Sequence, residues 1–111
     1  MKISVYDILG SQNASLHDDG LALYCVVKEN FEMHTNEEVN IDFSQIKRCS
    51  TLFLNASFGK LLADFGEEVV KKYIHPASYE QILNFMGKYN DMWDNFANKT
   101  NYQAYRDEAF A

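Results

Sequence analysis

The stretch Glu38-Val-Asn-Ile-Asp-Phe-Ser-Gln-Ile-Lys-Arg-Cys-Ser-Thr-Leu-Phe-Leu-Asn-Ala-Ser-Phe-Gly-Lys-Leu-Leu62 decides the fold. Within it Val39, Ile41 and Phe43 alternate with Asn40 and Asp42, the period of a half-buried strand. Ser44-Gln45 supplies a turn, and Ser50 or Thr51 then stands directly before Leu54, Phe58, Leu61, Leu62 and Phe65, spaced i, i+4, i+7, i+8 and i+11. A hydroxyl ahead of such spacing is a helix N-cap, because its oxygen accepts from a backbone N–H that has no partner inside the helix. The spacing predicts a helix from about Thr51 to Phe65, closed by Gly66.

Toward the N-terminus, Ile3 and Val5 alternate with Lys2, Ser4 and Tyr6, which predicts a strand near residues 2–8 ahead of the turn Gly10-Ser-Gln-Asn. Leu21 to Met33 is ambiguous between a buried strand and a helix. The i+4 repeat of Leu23, Val27 and Phe31, with Asp18 and Asp19 ahead to cap it, favours helix. Toward the C-terminus, the β-branched stretch with Val69, Val70, Tyr73 and Ile74, stopped by His75-Pro76, predicts a third strand, with a continued helix as the competing reading. Ser78-Tyr-Glu-Gln81 fits a capping box, and Ile82, Phe85, Met86, Tyr89, Met92, Trp93 and Phe96 form an apolar stripe. An amphipathic helix to about Asn98 follows, despite the roughly 1 kcal/mol that Gly87 costs against alanine. Phe58, Leu61, Leu62, Phe85, Tyr89 and Trp93 are the expected buried side chains of the two helices. Residues 98–111 form a flexible tail unless Tyr102, Tyr105 and Phe110 extend the helix or fold back over the sheet.

Length and composition set the frame. A chain of 111 residues, 47% of them apolar, makes one globular domain, 1–111. The net charge of −6 repels phosphate backbones and anionic lipids, so neither nucleic acid nor a membrane surface is an expected partner. The longest apolar run, Leu21 to Val27, is far short of the ~20 residues of a membrane span, and Ser4 and Asp7 interrupt any N-terminal signal, so a cytoplasmic location is expected. Cys25 and Cys49 then read as reduced thiols. His17, His34 and His75 are far apart in sequence and form no metal-binding motif of the C-x-x-C or H-E-x-x-H kind, and no phosphate loop, dinucleotide fingerprint or nucleophile elbow occurs. Asp18-Asp19, Glu37-Glu38 and Glu67-Glu68 read as solvated surface. The expectation is a protein without catalytic residues, metal or cofactor.

The Glu38 to Leu62 stretch resembles the core of the STAS-like domain family of small bacterial and phage proteins. The resemblance is carried by a strand ending in Asp42-Phe43, the hydroxyl-rich link Ser50-Thr51, and a helix opening with Phe53 and containing Phe58-Gly59. It extends from the first strand to about Ile74. It implies an α/β fold, a single STAS-like domain with a small mixed β-sheet, packed helices and the C-terminal amphipathic helix. In the related anti-sigma-factor antagonists, the start of the matching helix docks a serine kinase of the histidine-kinase ATPase type. Laid on without a gap from Asp42, their Asp-Ser-Ser-Gly motif places Ser50 at its Asp, Thr51 at the phosphorylated serine, Leu52 at the second serine and Phe53 at the glycine.

The resemblance thus implies a regulatory or interaction domain that binds a protein partner, such as a histidine-kinase-like ATPase, through Ser50, Thr51, Phe53, Asn55 and Ser57. Thr51 and Ser50 are the candidate phosphorylation sites. A phosphate there would lie at a helix N-terminus, which accommodates negative charge. The plainer reading is that Ser50 and Thr51 only cap the helix. Two other functions stay open, a sensor of a nucleotide or metabolite and a phage-encoded inhibitor of a host protein. The protein is expected to be a monomer, or a weak homodimer if the Trp93 stripe is wider than one chain can cover.

Overall fold

The computed structural model describes residues 1–34 and 37–110, with side chains described as far as residue 97. Strand β1 (Lys2–Ser4) ends sooner than the alternation of Ile3 and Val5 predicts. Ser4 Oγ accepts the Asp7 N–H at 3.2 Å and so caps a short helix, α1 (Val5–Leu9), which Gly10 closes by donating its N–H to the Tyr6 carbonyl. The expected strand over 2–8 is corrected to three strand residues and a helical turn, with the buried Val5 on α1.

Strand β2 (Asn13–Ala14) leads into α2 (His17–Met33), so the helical reading of Leu21 to Met33 holds. Asp18 and Asp19 lie in its first turn, favourable to the helix dipole, while the N-cap is Leu16, whose side chain makes no capping bond. Strand β3 (Val39–Asp42) follows, then β4 (Arg48–Cys49). The predicted Thr51 helix comes as three joined pieces: α3 (Thr51–Leu54), a π-helical segment at Asn55–Gly59, and α4 (Lys60–Phe65), with right-handed helical dihedrals at both junctions. Gly66 ends it at φ 88°, a backbone conformation that a β-carbon would strain.

The third strand starts later than expected. Glu67–Tyr73 is helix α5, and only Ile74–Ala77 forms β5. Glu67 and Glu68 occupy the first turn of α5 and Lys71 and Lys72 the last, the arrangement that suits the helix dipole and i, i+4 pairing, and this outweighs the β-branched Val69-Val70 pair. The capping box at Ser78 also does not form. Ser78 has φ 56°, and Gln81 Nε2 instead donates to the Phe43 carbonyl at 2.8 Å and the Ile46 carbonyl at 2.9 Å, tying the 78–84 connection to the end of β3. Helix α6 therefore begins at Phe85 and runs to Phe110. The expected 98–111 tail, with Tyr102, Tyr105 and Phe110, lies outside the residues whose side chains are described.

The protein is α/β. Three strands form a parallel sheet in the order β1-β3-β5, with Ile3 opposite Ile41, and Val39 and Ile41 opposite Ile74 and Pro76. Pro76 is tolerated because β5 is an edge. A second parallel pair joins β2 to β4. One apolar core fills the space between sheet and helices, with Ile41, Phe43, Phe53, Phe58, Leu61, Leu62 and Met92 fully enclosed. Of the expected helix contacts, Phe85 is also buried, whereas Tyr89 and Trp93 are only half-buried against the core.

Candidate functional site

The β2–β4 pair delivers the chain to the head of α3. The Ser50 N–H donates to the Ala14 carbonyl at 3.0 Å, which extends that pairing by one residue. Ser50 Oγ then has two partners: it accepts the Phe53 N–H at 3.0 Å and donates to the Ser15 carbonyl at 2.8 Å. Ser50 is therefore the N-cap of α3 and also the tie that holds the start of α2 beside the start of α3. Thr51 is the first helical residue and is half-buried.

The five residues expected to face a partner divide. Phe53 and Ser57 are fully buried, Phe53 edge-on to Phe43 with ring centres 6.5 Å apart. Ser57 Oγ donates to the Phe53 carbonyl at 2.8 Å, inside the π-helical segment. Such segments recur at functional sites in helices. Ser50, Thr51 and Asn55 keep partial access to solvent. Sequence reasoning missed two exposed side chains: Leu52, 52% exposed and two residues after Ser50, and Leu16, 64% exposed and directly after Ser15. Their signal was available, since both apolar side chains fall outside the periodic core positions.

Beside this head runs a groove of about 890 Å³, with the π-helical segment and α4 as its floor and α2 and α6 as its walls. Ala56, Gly59 and Ala63 line the floor, and Leu21, Met92 and Phe96 the sides. Asn55 opens onto it. The close approach of α2 to the floor depends on Gly20, where a β-carbon would come within 2.6 Å of both Ala56 Cβ and the Phe53 carbonyl oxygen.

A second, polar cleft of about 400 Å³ lies at the carboxyl ends of β1 and β3. Its centre is Asp42, only 5% exposed. Asp42 Oδ1 accepts from the Ser44 N–H at 3.0 Å and from Ser44 Oγ at 2.7 Å, and Lys2 Nζ lies 3.3 Å from Oδ2. Burial pushes this carboxyl up, but the Ser44 bonds and the Lys2 ammonium together outweigh burial and hold it below the ordinary aspartate value. The adjoining Gln45 sits at φ 70°, unusual for a residue other than glycine or asparagine.

Burial pushes the Cys49 thiol up to about 12, which leaves it protonated and unreactive at neutral pH. Among the described residues no group of three or more His, Cys, Asp or Glu side chains is placed to hold a metal ion, and no helix is long and apolar enough to cross a membrane.

Comparison with known proteins fits this arrangement. The family described as a STAS-like domain of unknown function matches residues 26–82, from the middle of α2 through β3, the capped helix, α5 and β5 to Ile82. No curated protein and no solved structure gives a match. The matched segment covers more than half of the chain and holds both the Ser50 cap and the central strand, and the chain belongs to the STAS-like domain family.

Proposed function

We propose that this protein is a non-enzymatic regulatory domain that binds a protein partner through the head of α3, with Thr51 as the regulated residue. Membership of the STAS-like family supports a regulatory or interaction role in general. The observation that carries the specific reading is the exposure of Leu16 and Leu52, which follow the two residues of the Ser50–Ser15 tie along the chain. Two large apolar side chains held in water by a fixed cap suit a partner that covers them. Phe53 and Ser57 support this surface from below, while Leu16, Thr51, Leu52 and Asn55 present it.

The two hydroxyls have different parts. Ser50 Oγ is committed to the cap and the tie, so modifying it would disrupt the contact between the starts of α2 and α3. Thr51 is spared that conflict, and a phosphate on it would stand at the positive end of the helix dipole while placing charge beside Leu52. The partner proposed is a histidine-kinase-like ATPase, in the cytoplasm. Affinity capture from the native host with the wild-type protein and with Leu52→Asp tests the reading. A kinase-like ATPase captured by the first and not by the second, with phosphate on Thr51 in native material, is the expected result. Equal capture by both, or a complete phosphopeptide map lacking Thr51, rejects it.

A second reading, a sensor of a small polar ligand, is favoured by the cleft around Asp42, since parallel sheets bind ligands at the carboxyl ends of their strands. Native mass spectrometry of protein from its host tests it: a retained small molecule lost in Asp42→Asn supports the sensor.

A further inference from the structure

The groove beside α3 differs in charge from the rest of the molecule. The chain carries sixteen acidic residues and a net charge of −6, yet among the described residues no carboxylate lines this groove. The ionisable groups that do line it are Lys60 and His17. His17 has Asp18 3.7 Å away, outside the lining. Lys60 is exposed, lies 4.8 Å from the centre of the Tyr24 ring, and has no carboxylate within ion-pair distance among the described residues. The nearby Asp64 is already engaged, accepting from the Tyr24 hydroxyl with Lys28 Nζ 3.8 Å away. An apolar trough with one unneutralised cation, in an acidic protein, complements an occupant that is apolar on one face and negative at its edge.

The floor narrows the occupant further. Ala56, Gly59 and Ala63 all line it, so the floor from the π-helical segment into α4 is made of small residues. A floor of small residues lets a second helix backbone approach closely, while Leu21, Met92 and Phe96 supply the apolar walls against which its larger side chains pack. We propose that this groove binds an amphipathic helix of a partner protein, apolar along the face that meets Ala56, Gly59 and Ala63 and carrying a carboxylate that pairs with Lys60. This deepens the interaction reading given above and rests on it, because the groove shares Asn55 with the head of α3.

The test is selection of binders from a displayed library of randomised helical peptides, using the intact protein, followed by affinity measurement with variants. Ala63 is exposed on the groove floor, so Ala63→Trp fills the trough without entering the core. The selected peptides are expected to be apolar at i, i+3 or i+4, and i+7, and to be acidic. Ala63→Trp should lower their affinity at least tenfold, and Lys60→Glu should lower it several-fold and be rescued by changing the peptide's glutamate to lysine. Peptides that ignore Ala63→Trp but are lost with Leu52→Asp would overturn the groove proposal and leave the interaction reading standing; peptides insensitive to both would count against both. A library that yields no binder, or a wild-type dimer in sedimentation that Ala63→Trp turns into monomer, would also overturn the proposal, the latter by showing a second copy in the groove.

Discussion

Replacing Ser50 with alanine separates the cap from the residue beside it. Ser50→Ala removes the bond to the Phe53 N–H, an N-cap loss of about 0.5 to 2 kcal/mol. It also removes the donor to the Ser15 carbonyl, whose loss adds roughly 1 kcal/mol where water does not replace it. The two together give about 1.5 to 3 kcal/mol. In urea, with m near 1 to 3 kcal/mol/M for a small domain, the unfolding midpoint should fall by about 0.5 to 3 M. Thr51→Ala removes neither bond, and its unfolding free energy should lie within about 0.5 kcal/mol of the wild type. Ser50→Asp restores an acceptor for the Phe53 N–H but not a donor for Ser15, so it should fall between the two. Equal losses for Ser50→Ala and Thr51→Ala would refute the assignment of cap and tie to Ser50.

Other outcomes follow from the packing and the titrating groups. Gly20→Ala should destabilise by about 1 to 2 kcal/mol in the same assay, since overpacking between α2 and the Ala56 floor exceeds the roughly 1 kcal/mol gained in helix propensity; a stabilised variant would contradict the close approach. Leu61→Ala and Phe85→Ala should each cost about 2 to 5 kcal/mol, and surface-like thermal shifts for both would contradict their burial. A thiol reagent at neutral pH should label Cys25 in the native protein and reach Cys49 only on unfolding. Asp42 is held below its ordinary value, so its contribution is present above the unfolded aspartate value near 4 and is lost as pH falls through the lower folded value. Asp42→Asn should therefore flatten the acid limb of stability against pH, and an unchanged limb would contradict the Ser44 and Lys2 contacts.

What was legible in the sequence was the part governed by short-range rules. Val39, Ile41 and the hydroxyl before Leu54 carried their period and cap openly, and strand and helix stand where that reading puts them. The errors fell where two local rules competed. Ser4-x-x-Asp7 ahead of Gly10 is a helix signal that the Ile3–Val5 alternation overrode, and Glu67-Glu68 with Lys71-Lys72 is another, hidden behind two valines. Ser78 to Gln81 failed for a different reason, because the Gln81 amide is drawn to carbonyls at Phe43 and Ile46, more than thirty residues away, which no local pattern encodes. The site divides the same way. Ser50 as cap was readable, but that Phe53 and Ser57 turn inward while Leu52 turns out depends on the inserted π-helical turn and on where α6 packs.

Site-specific photocrosslinking in the native host tests the central claim most directly. A photoreactive amino acid is placed at Leu52, and as a control at Met33, which is still more exposed and lies at the far end of α2. One dominant crosslinked protein is expected from position 52 and is absent from position 33. No discrete adduct from position 52, or the same adducts from both positions, would contradict a partner-binding surface at the head of α3.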